Sequence, residues 1–271
     1  MHLLALFCTL LLANDAGGSD AGTAPAAPPA GVANPLRLLD LDAASRKALS
    51  PQALDALLRA SSVDDLVSLA RAAVAALGTY SVTVTKEERV GGDLVGPQVI
   101  RLTVRPKPFA ALMRFQEGPG KGRVVFFDQS IRKHDLRARE PGIKGLIGAL
   151  WVDIDSSLTR SESNHPVTDN GFARLLDFLA ADLERGKPFG GHARADEPAE
   201  PGRWCGVFTA PPGIKGLRGD VTRICFDPVT AVPLLIEVTV KGALLERYAY
   251  RAVNPGLSEA EAGLSLEAAG L

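Results

Sequence analysis

The sequence predicts an α+β fold in which a strongly curved antiparallel sheet is covered by helices. Short segments that follow residue 80 alternate apolar and polar side chains with a period of two, which is typical of strands with one buried and one solvated face. Clusters of glycine and proline separate these segments and indicate tight turns. Two other parts of the chain carry apolar residues at helical spacing, and these helices are expected to cover the sheet or plug its opening.

The first half of the predicted sheet is a series of four or five consecutive strands. In residues 80–89, Tyr80, Val82 and Val84 share one face, while serine and threonine occupy the other. The strands that follow are predicted at residues 98–105, 109–115, 123–127 and 131–136. No side chain in this stretch stands out as a nucleophile, so a shaped apolar surface is favoured over chemistry.

Two helices are predicted before the sheet. Ser50-Pro51 indicates a helix start, because serine caps the free N–H groups and proline needs no N–H at the first helical position. Ser62 resembles the start of a capping box in which Asp65 reaches back to the cap. The helix that follows is predicted over residues 63–77, with one apolar stripe.

A later helix is predicted over residues 170–185, with Phe172 in its buried stripe. Thr168 or Asp169 is expected to cap its first turn, and a short final helix is expected to start at Ser258.

Two cysteines lie in a predicted hairpin of residues 204–210 and 220–226. If the hairpin folds symmetrically about Lys215, Cys205 lies opposite Cys225, at a separation that a disulfide can bridge. The alternative is two buried free thiols. The predicted export signal favours the disulfide, because exported proteins fold in an oxidising environment.

The N-terminal residues predict export. Residues 1–13 are interpreted as a signal peptide, because their apolar run is too short to span a bilayer, although no lysine or arginine precedes it. Residues 14–35 consist mostly of alanine, glycine, proline and aspartate and predict a flexible linker, which leaves residues 36–271 as a single α+β domain. Cys8 is interpreted as part of the leader, with lipidation as the alternative. The expected location is the periplasm or cell envelope, and no transmembrane span is predicted in the mature protein.

Composition excludes some classes of function. The formal net charge is −1 and the basic residues are scattered, so no nucleic-acid partner is predicted. The chain contains no Gly-x-Ser-x-Gly, His-Glu-x-x-His, phosphate-loop or Cys-x-x-Cys motif. Neither a metal nor any other cofactor is predicted.

Three groups of polar residues are candidates for chemistry. Asp153 and Asp155 share a strand face and can hold a hard cation or act as an acid/base pair, but a solvated edge is the favoured interpretation. His165 is held extended by Pro166, either as a ligand-contacting or acid/base imidazole at a pocket mouth or, as favoured, as a ring that fixes the loop through the backbone. The charged stretch that contains Glu88 is interpreted as a solvated strand end.

Four short motifs occur in order between residues 80 and 257. They are Lys86-Glu87-Glu88-Arg89, Arg105-x-Lys107-Pro108-Phe109 with Met113-Arg114-Phe115, Gly118-Pro119-x-Lys121-Gly122-Arg123, and Asn164-His165-Pro166-Val167-Thr168. Together they resemble the bacterial family called domain of unknown function 1571, which implies an exported envelope protein and brings no established activity. The hairpin over residues 224–233 is also similar to the outer-membrane lipoprotein carrier superfamily. That second resemblance implies an incomplete β-barrel with helices across an apolar face that holds acyl chains.

The predicted function is non-enzymatic binding or transport of a lipid, a lipoprotein acyl chain or a similar apolar ligand in the cell envelope. A half-barrel too wide for its own side chains leaves an apolar groove that such a chain can fill. The predicted ligand-binding residues, for each of which core packing is the alternative, are Phe109, Met113, Phe115, Phe126, Trp151, His165 and Phe172. The alternatives are an envelope structural or interaction protein with a closed core and a protein partner, and a hydrolase that uses Asp153, Asp155 or His165.

Overall fold

Eleven antiparallel strands form one continuous sheet in the part of the chain that the structure describes. The structure is a computed structural model that describes residues 36–271, apart from residues 143, 144, 146, 147, 162 and 199. The strands are β1 (Tyr80–Val90), β2 (Asp93–Arg105), β3 (Ala110–Glu117), β4 (Val124–Asp128), β5 (Asp135–Arg139), β6 (Leu150–Asp153), β7 (Ala193–Asp196), β8 (Trp204–Thr209), β9 (Val221–Phe226), β10 (Pro233–Val240) and β11 (Ala243–Asn254).

The strand order is β6-β5-β4-β3-β2-β1-β11-β10-β9-β8-β7, so β1 and β11 pair at the centre. Two meanders, one of strands β1 to β6 and one of strands β7 to β11, are therefore joined along this central pair. The sheet is curved and does not close, since β6 and β7 are its two edges. Together with the covering helices, this confirms the predicted α+β fold with an incomplete β-barrel.

Seven short to medium helices accompany the sheet in the described residues. They are α1 (Ala43–Ala48), α2 (Pro51–Ala60), α3 (Val63–Ala76), α4 (Ser157–Arg160), α5 (Phe172–Gly186), α6 (Glu259–Ala262) and α7 (Leu266–Ala269). Single 3-10 turns are found at Leu38–Asp40, Val167–Asp169 and Lys187–Phe189.

The main core lies on one face of the sheet, here called the inner face, which carries Val82 and Val84 of β1. Alternate residues of the other strands continue this face and pack with the apolar stripes of α2, α3 and α5. The opposite, outer face carries two smaller clusters. One joins Leu112 and Phe126 to Ala269 of α7, and the other contains the two strand cysteines.

The predicted strands are confirmed, with three differences. Strand β2 begins at Asp93 rather than at residue 98, so the predicted turn is shorter than expected. The fifth strand begins at Asp135, because Ile131 and Arg132 each donate a backbone hydrogen bond of 3.0 Å to the carbonyl of Asp128 and so form a turn. The edge strand β7 was not predicted, since its four residues contain two charged side chains and give little alternation.

The predicted cysteine hairpin is confirmed. Strands β8 and β9 pair with Cys205 directly opposite Cys225, and the two sulfur atoms form a disulfide. The register follows from the alternation, since Trp204 and Phe226 also pair and both bury their rings on the inner face.

The predicted caps are confirmed for α2 and α3, where Ser50 and Ser62 accept backbone hydrogen bonds from Ala53 and Asp65. The carboxylate of Asp65 binds Arg37 at 3.3 Å, however, rather than the cap backbone. At α6 Ser258 forms the full capping box that its sequence suggests, although this helix is not the last, because α7 follows it.

The predicted cap of α5 is wrong. The helix begins after Gly171, and the N–H of Phe172 donates to the hydroxyl of Tyr80 at 3.0 Å. Gly171 has φ 102°, and a Cβ there would lie 2.8 Å from the Tyr80 hydroxyl, so glycine suits both the conformation and the close approach. Thr168 and Asp169 lie in the preceding 3-10 turn, and the carboxylate of Asp169 has other partners, described below.

The predicted signal peptide of residues 1–13, with Cys8, and the predicted linker of residues 14–35 lie outside the described residues. Among the helices described, none has the length and apolarity needed to span a bilayer.

Candidate ligand-binding cavity

A cavity of about 550 Å³ lies between the inner face of the sheet and the chain segment that leads into α5. Strands β1 to β6 all contribute side chains to it, and the central strand β11 contributes Tyr248 and Tyr250. The opposite side is formed by residues between Thr159 and Gly171 and by the first two turns of α5. The segment 159–171, of which the structure describes all residues except 162, therefore lies over one side of the cavity and is here called the cover segment.

One side of the cavity, the apolar wall, is built by alternate residues of neighbouring strands. Strand pairing places Ile100 beside Phe115 and Leu102 beside Met113, and all four side chains are buried. Because the pleat repeats every two residues, the same face continues across the meander. The other described members of the apolar wall are Val84, Val125, Leu136, Ala138, Leu150, Val152, Leu175 and Ile236.

The other side of the cavity, the polar wall, is formed where β1 and β11 carry charged residues on the inner face. Glu88 of β1 pairs directly with Glu246 of β11, and both residues are 1% exposed. Two carboxylates at opposed positions repel each other unless cations and hydrogen-bond donors surround them. The donors come from three separate parts of the chain, which explains how both carboxylates are tolerated.

Glu88 accepts hydrogen bonds from the backbone of Asn164 at 2.9 Å and from the hydroxyls of Ser163 and Tyr248. The Lys86 ammonium lies 3.4 Å from the same carboxylate. Burial raises the pKa of Glu88, but the charge of Lys86 and these hydrogen bonds outweigh it, so the pKa lies below its ordinary value. Glu88 is therefore ionised and anchors the cover segment to β1.

His165 forms a second anchor of the cover segment. Its Nε2 lies 2.8 Å from Glu246, and its Nδ1 lies 3.5 Å from Asp169. Burial lowers the pKa of His165, but the hydrogen bonds with Asp169 and Glu246 raise it to about 9, although the positive charge of Arg218 opposes this effect. The imidazole is therefore protonated at neutral pH and bridges the two carboxylates.

Arg218, from the connection between β8 and β9, completes this group. Its guanidinium donates to Glu246 and lies 3.0 Å from Nε2 of His165. It also lies over the ring of Phe178, with 4.5 Å between the guanidinium carbon and the ring centroid. Glu246 thus holds both the cover segment and the β8–β9 connection.

Two groups of side chains in the described residues have a spacing that could hold a metal ion. The ligand atoms of Glu88, His165 and Glu246 lie within 4.8 Å of one another, but the donors described above already satisfy these carboxylates. The second group contains Glu197, Cys205 and Cys225, and its cysteines form the disulfide rather than free thiolates.

The family of this chain can be identified from its sequence. Residues 77–261 match the family described as "Protein of unknown function (DUF1571)". The chain belongs to the DUF1571 family. The predicted resemblance is thereby confirmed, and the matched residues include every strand of the sheet.

Solved structures with weak similarity to this DUF1571 protein include an uncharacterised conserved protein from Thermus thermophilus, with 10% identity, TM-score 0.41 and coverage of 74% of this chain and 91% of that one. The Mycobacterium tuberculosis lipoprotein LppX has 13% identity and a TM-score of 0.41, and the match covers 77% of this chain and 99% of LppX. A putative outer membrane lipoprotein-sorting protein domain from Vibrio parahaemolyticus has 14% identity and a TM-score of 0.34. That match covers 72% of this chain and 95% of the Vibrio domain. No curated protein sequence matches this chain significantly.

Three of the seven predicted ligand-binding residues line the cavity of this DUF1571 protein. Met113 and Phe115 belong to the apolar wall, and His165 belongs to the polar wall. His165 fixes the loop as expected, but through two carboxylates rather than through the backbone.

The other four predicted residues lie elsewhere among the described residues. Phe172 is fully buried and stacks on Tyr80, with 5.2 Å between ring centroids, and Phe109 packs on the main core. Phe126 and Trp151 each lie one residue away from a cavity-lining position, so the pleat turns their side chains to the outer face. There Phe126 packs against α7, and Arg132 lies 4.3 Å from the ring centroid of Trp151.

The prediction that Asp153 and Asp155 share a strand face is wrong, because β6 ends at Asp153 and Asp155 lies in the turn that follows. The carboxylate of Asp153 accepts a 2.7 Å hydrogen bond from the backbone of Asp155, whose own carboxylate pairs with Arg160 at 3.0 Å and is 67% exposed. Neither carboxylate is among the described residues of the cavity wall. The favoured interpretation as a solvated edge fits this geometry.

Sequence reasoning missed the polar wall. The interpretation of Glu88 as part of a solvated strand end is wrong, since Glu88 is 1% exposed. The signal was present in the alternation, because Val82, Val84, Lys86 and Glu88 all fall on the same face of β1. The partner Glu246 has no such signal, because its role depends on a register that sequence alone does not give.

Proposed function

We propose that this protein binds an elongated apolar ligand, such as the acyl chain of a lipid or lipoprotein, in the cavity and carries it without chemical conversion. The observation that supports this is the cavity itself. Its volume of about 550 Å³ lies within the range of roughly 300–1,000 Å³ that is usual for small-molecule sites. An apolar wall drawn from seven strands offers contact along the length of a chain and few polar groups to interact with it.

The arrangement of the cover segment also supports binding. This segment borders one side of the cavity and is held to the sheet by polar contacts to Glu88 and Glu246. Such a segment can open locally at a lower free-energy cost than a strand of the sheet. An interaction protein with a closed core is disfavoured, because a filled core would leave no cavity of this size.

The proposed site of action is the cell envelope after export. The Cys205–Cys225 disulfide supports this, since such bonds persist in oxidising compartments. The N-terminus of the mature protein should then lie within residues 14–35. N-terminal sequencing of protein from the native host tests this, and cytosolic protein that retains Met1 would contradict it.

Binding can be tested with N-phenyl-1-naphthylamine, an uncharged probe whose fluorescence rises in apolar surroundings. Ala138 lines the cavity from β5, and Ala138→Phe should fill part of it and weaken probe binding by about tenfold or more. The matched control is Ala195→Phe, on the exposed face of the edge strand β7, which should bind like the wild type. Equal binding by both variants would place the probe outside the cavity. Failure of the wild type to bind the probe or any acyl ligand would overturn the proposal.

A further inference from the structure

The charged residues that the structure describes around the cavity balance one another in ion pairs. Four cationic side chains are found among its described lining residues, namely Lys86, Arg123, His165 and Arg218. Each is paired with a carboxylate. Lys86 lies 3.4 Å from Glu88, Arg123 lies 2.7 Å from Glu140, His165 lies 2.8 Å from Glu246, and Arg218 also binds Glu246. Asp169 lies 3.5 Å from His165 and 3.3 Å from Arg174, so every charged residue described in the cavity lining has an oppositely charged partner.

This balance disfavours an anionic ligand. A carboxylate or phosphate that approached one of these cations would have to compete with the carboxylate already bound there. The displaced carboxylate of Glu88 or Glu246 would remain buried without its cation, which is a strongly unfavourable state. Glu88, Glu140 and Asp169 also face the cavity and repel an incoming anion.

Uncharged polar groups are available beside these pairs. Gln98 is 1% exposed and donates its amide N–H to the carbonyl of Pro119 at 3.0 Å, so its side-chain oxygen can still accept a hydrogen bond. Tyr250 lines the cavity, and burial raises the pKa of its hydroxyl, which therefore stays neutral. A hydroxyl or ester group on a ligand can bond to both without disturbing an ion pair.

We propose that the cavity selects acylated ligands whose polar head carries no net charge, such as acylglycerols, over ligands with a carboxylate or phosphate head. This inference deepens the proposed function and rests on it. The apolar wall holds the acyl chain. The polar wall, whose charged residues are ion-paired, accepts the uncharged head through hydrogen bonds.

Two ligands that differ only in one phosphate test the proposal. 1-Palmitoylglycerol and 1-palmitoylglycerol 3-phosphate are titrated, below their aggregation concentrations and at pH 7, against protein loaded with N-phenyl-1-naphthylamine. The uncharged ligand should displace the probe at a concentration at least tenfold lower. Equal or tighter binding of the phosphate ligand overturns this inference and leaves acyl binding intact. If neither ligand displaces the probe, the proposed function fails and this inference fails with it.

Removing a single carboxylate should reverse part of the selectivity. Glu140→Gln removes the carboxylate that lies 2.7 Å from Arg123 at a half-exposed position, and Glu246→Gln removes the carboxylate that binds Arg218 in the interior. Each variant should gain at least fivefold in affinity for the phosphate ligand relative to 1-palmitoylglycerol. A gain of binding is not expected from a merely destabilised protein, and Glu140→Gln serves alone if Glu246→Gln does not fold.

The matched control is Glu237→Gln, which removes an ion-paired carboxylate from the outer face, where it bonds Arg223 and Arg247. Its selectivity should equal that of the wild type. Unchanged selectivity in both folded cavity variants, or the same gain in the control, overturns the role of the balanced charges.

Discussion

The two ends of the sheet share one pattern of alternating residues, yet one end is filled and the other is hollow. In the packed half, made of β7 to β9, Trp204, Phe208 and Phe226 fill the inner face, and the rings of Trp204 and Phe226 lie 6.3 Å apart. In the cavity half, made of β2 to β6, side chains such as Ile100 and Phe115 are equally buried but surround about 550 Å³ of open volume.

The difference lies in what covers each half. The helical N-terminal part docks on the packed half, where Arg194 of β7 donates to the carbonyls of Leu58 and Ser61 at the end of α2. The cavity half is covered by the cover segment, which is short, largely polar and anchored to Glu88 and Glu246. An apolar sheet face is thus filled where helices present leucines to it and stays open where a polar segment crosses it.

The largest expected effect is a difference between two phenylalanine truncations. Phe226 of the packed half is 6% exposed and Phe115 of the cavity wall is 8% exposed, so the two residues are matched in burial. Phe226→Ala should cost about 3–5 kcal/mol of unfolding free energy, as expected for a packed core. Phe115→Ala should cost clearly less, because its ring already borders open volume on one side. Urea denaturation of both variants measures the difference.

The same two variants should differ in the opposite direction in ligand binding. Phe115→Ala changes the cavity wall and should alter probe affinity, whereas Phe226→Ala should not, provided it is folded. Equal losses of stability in the two variants would show that the cavity half is packed as tightly in solution as the packed half.

Removal of the disulfide should have the next largest effect. Cys205 and Cys225 are 20 residues apart in sequence, and closing such a loop stabilises a protein by about 3 kcal/mol in the chain-entropy model. The double variant Cys205→Ala/Cys225→Ala should lose about this much and still bind the probe, since the bond lies in the packed half. Thiol titration of unfolded, non-reduced protein should find neither cysteine free, and two free thiols would contradict the bond.

The anchor at His165 should make stability depend on pH. The pKa of His165 is about 9 in the folded protein and about 6.5 in an unfolded chain. Its stabilising contribution, on the order of 3 kcal/mol, is therefore complete below about pH 6.5 and is lost as the pH rises through about 9. The charged groups around the ring include Glu246, Asp169 and Glu88, which favour the protonated form, and Arg218, which opposes it.

His165→Asn is the matched variant for this effect, because asparagine keeps hydrogen-bonding capacity without titrating in this range. Denaturation midpoints between pH 6 and pH 10 should fall for the wild type and stay nearly level for the variant. Parallel curves would show that another group causes the loss.

The sequence was sufficient to predict most strands and the cysteine pairing, but it was insufficient to predict which residues line the cavity. Alternation located β1 to β4, and the opposed position of Cys205 and Cys225 followed from the symmetry of one hairpin. The aromatic residues Phe126 and Trp151 were misplaced because aromatic character does not tell which face of a strand is inward. The Glu88–Glu246 pair depends on the contact between the first and last strands, a long-range register that no local pattern contains.

The smallest expected effect per step, and the sharpest test of the cavity half, comes from ligand chain length. Each additional buried methylene should contribute about 0.8 kcal/mol, or roughly a fourfold gain in affinity. Monoacylglycerols of increasing chain length should follow this slope until the cavity is full and then level off. In Ala138→Phe the plateau should come at a shorter chain, because the added ring occupies part of the volume, while Ala195→Phe should keep the wild-type plateau. An affinity that does not depend on chain length would mean that the acyl chain lies outside the cavity.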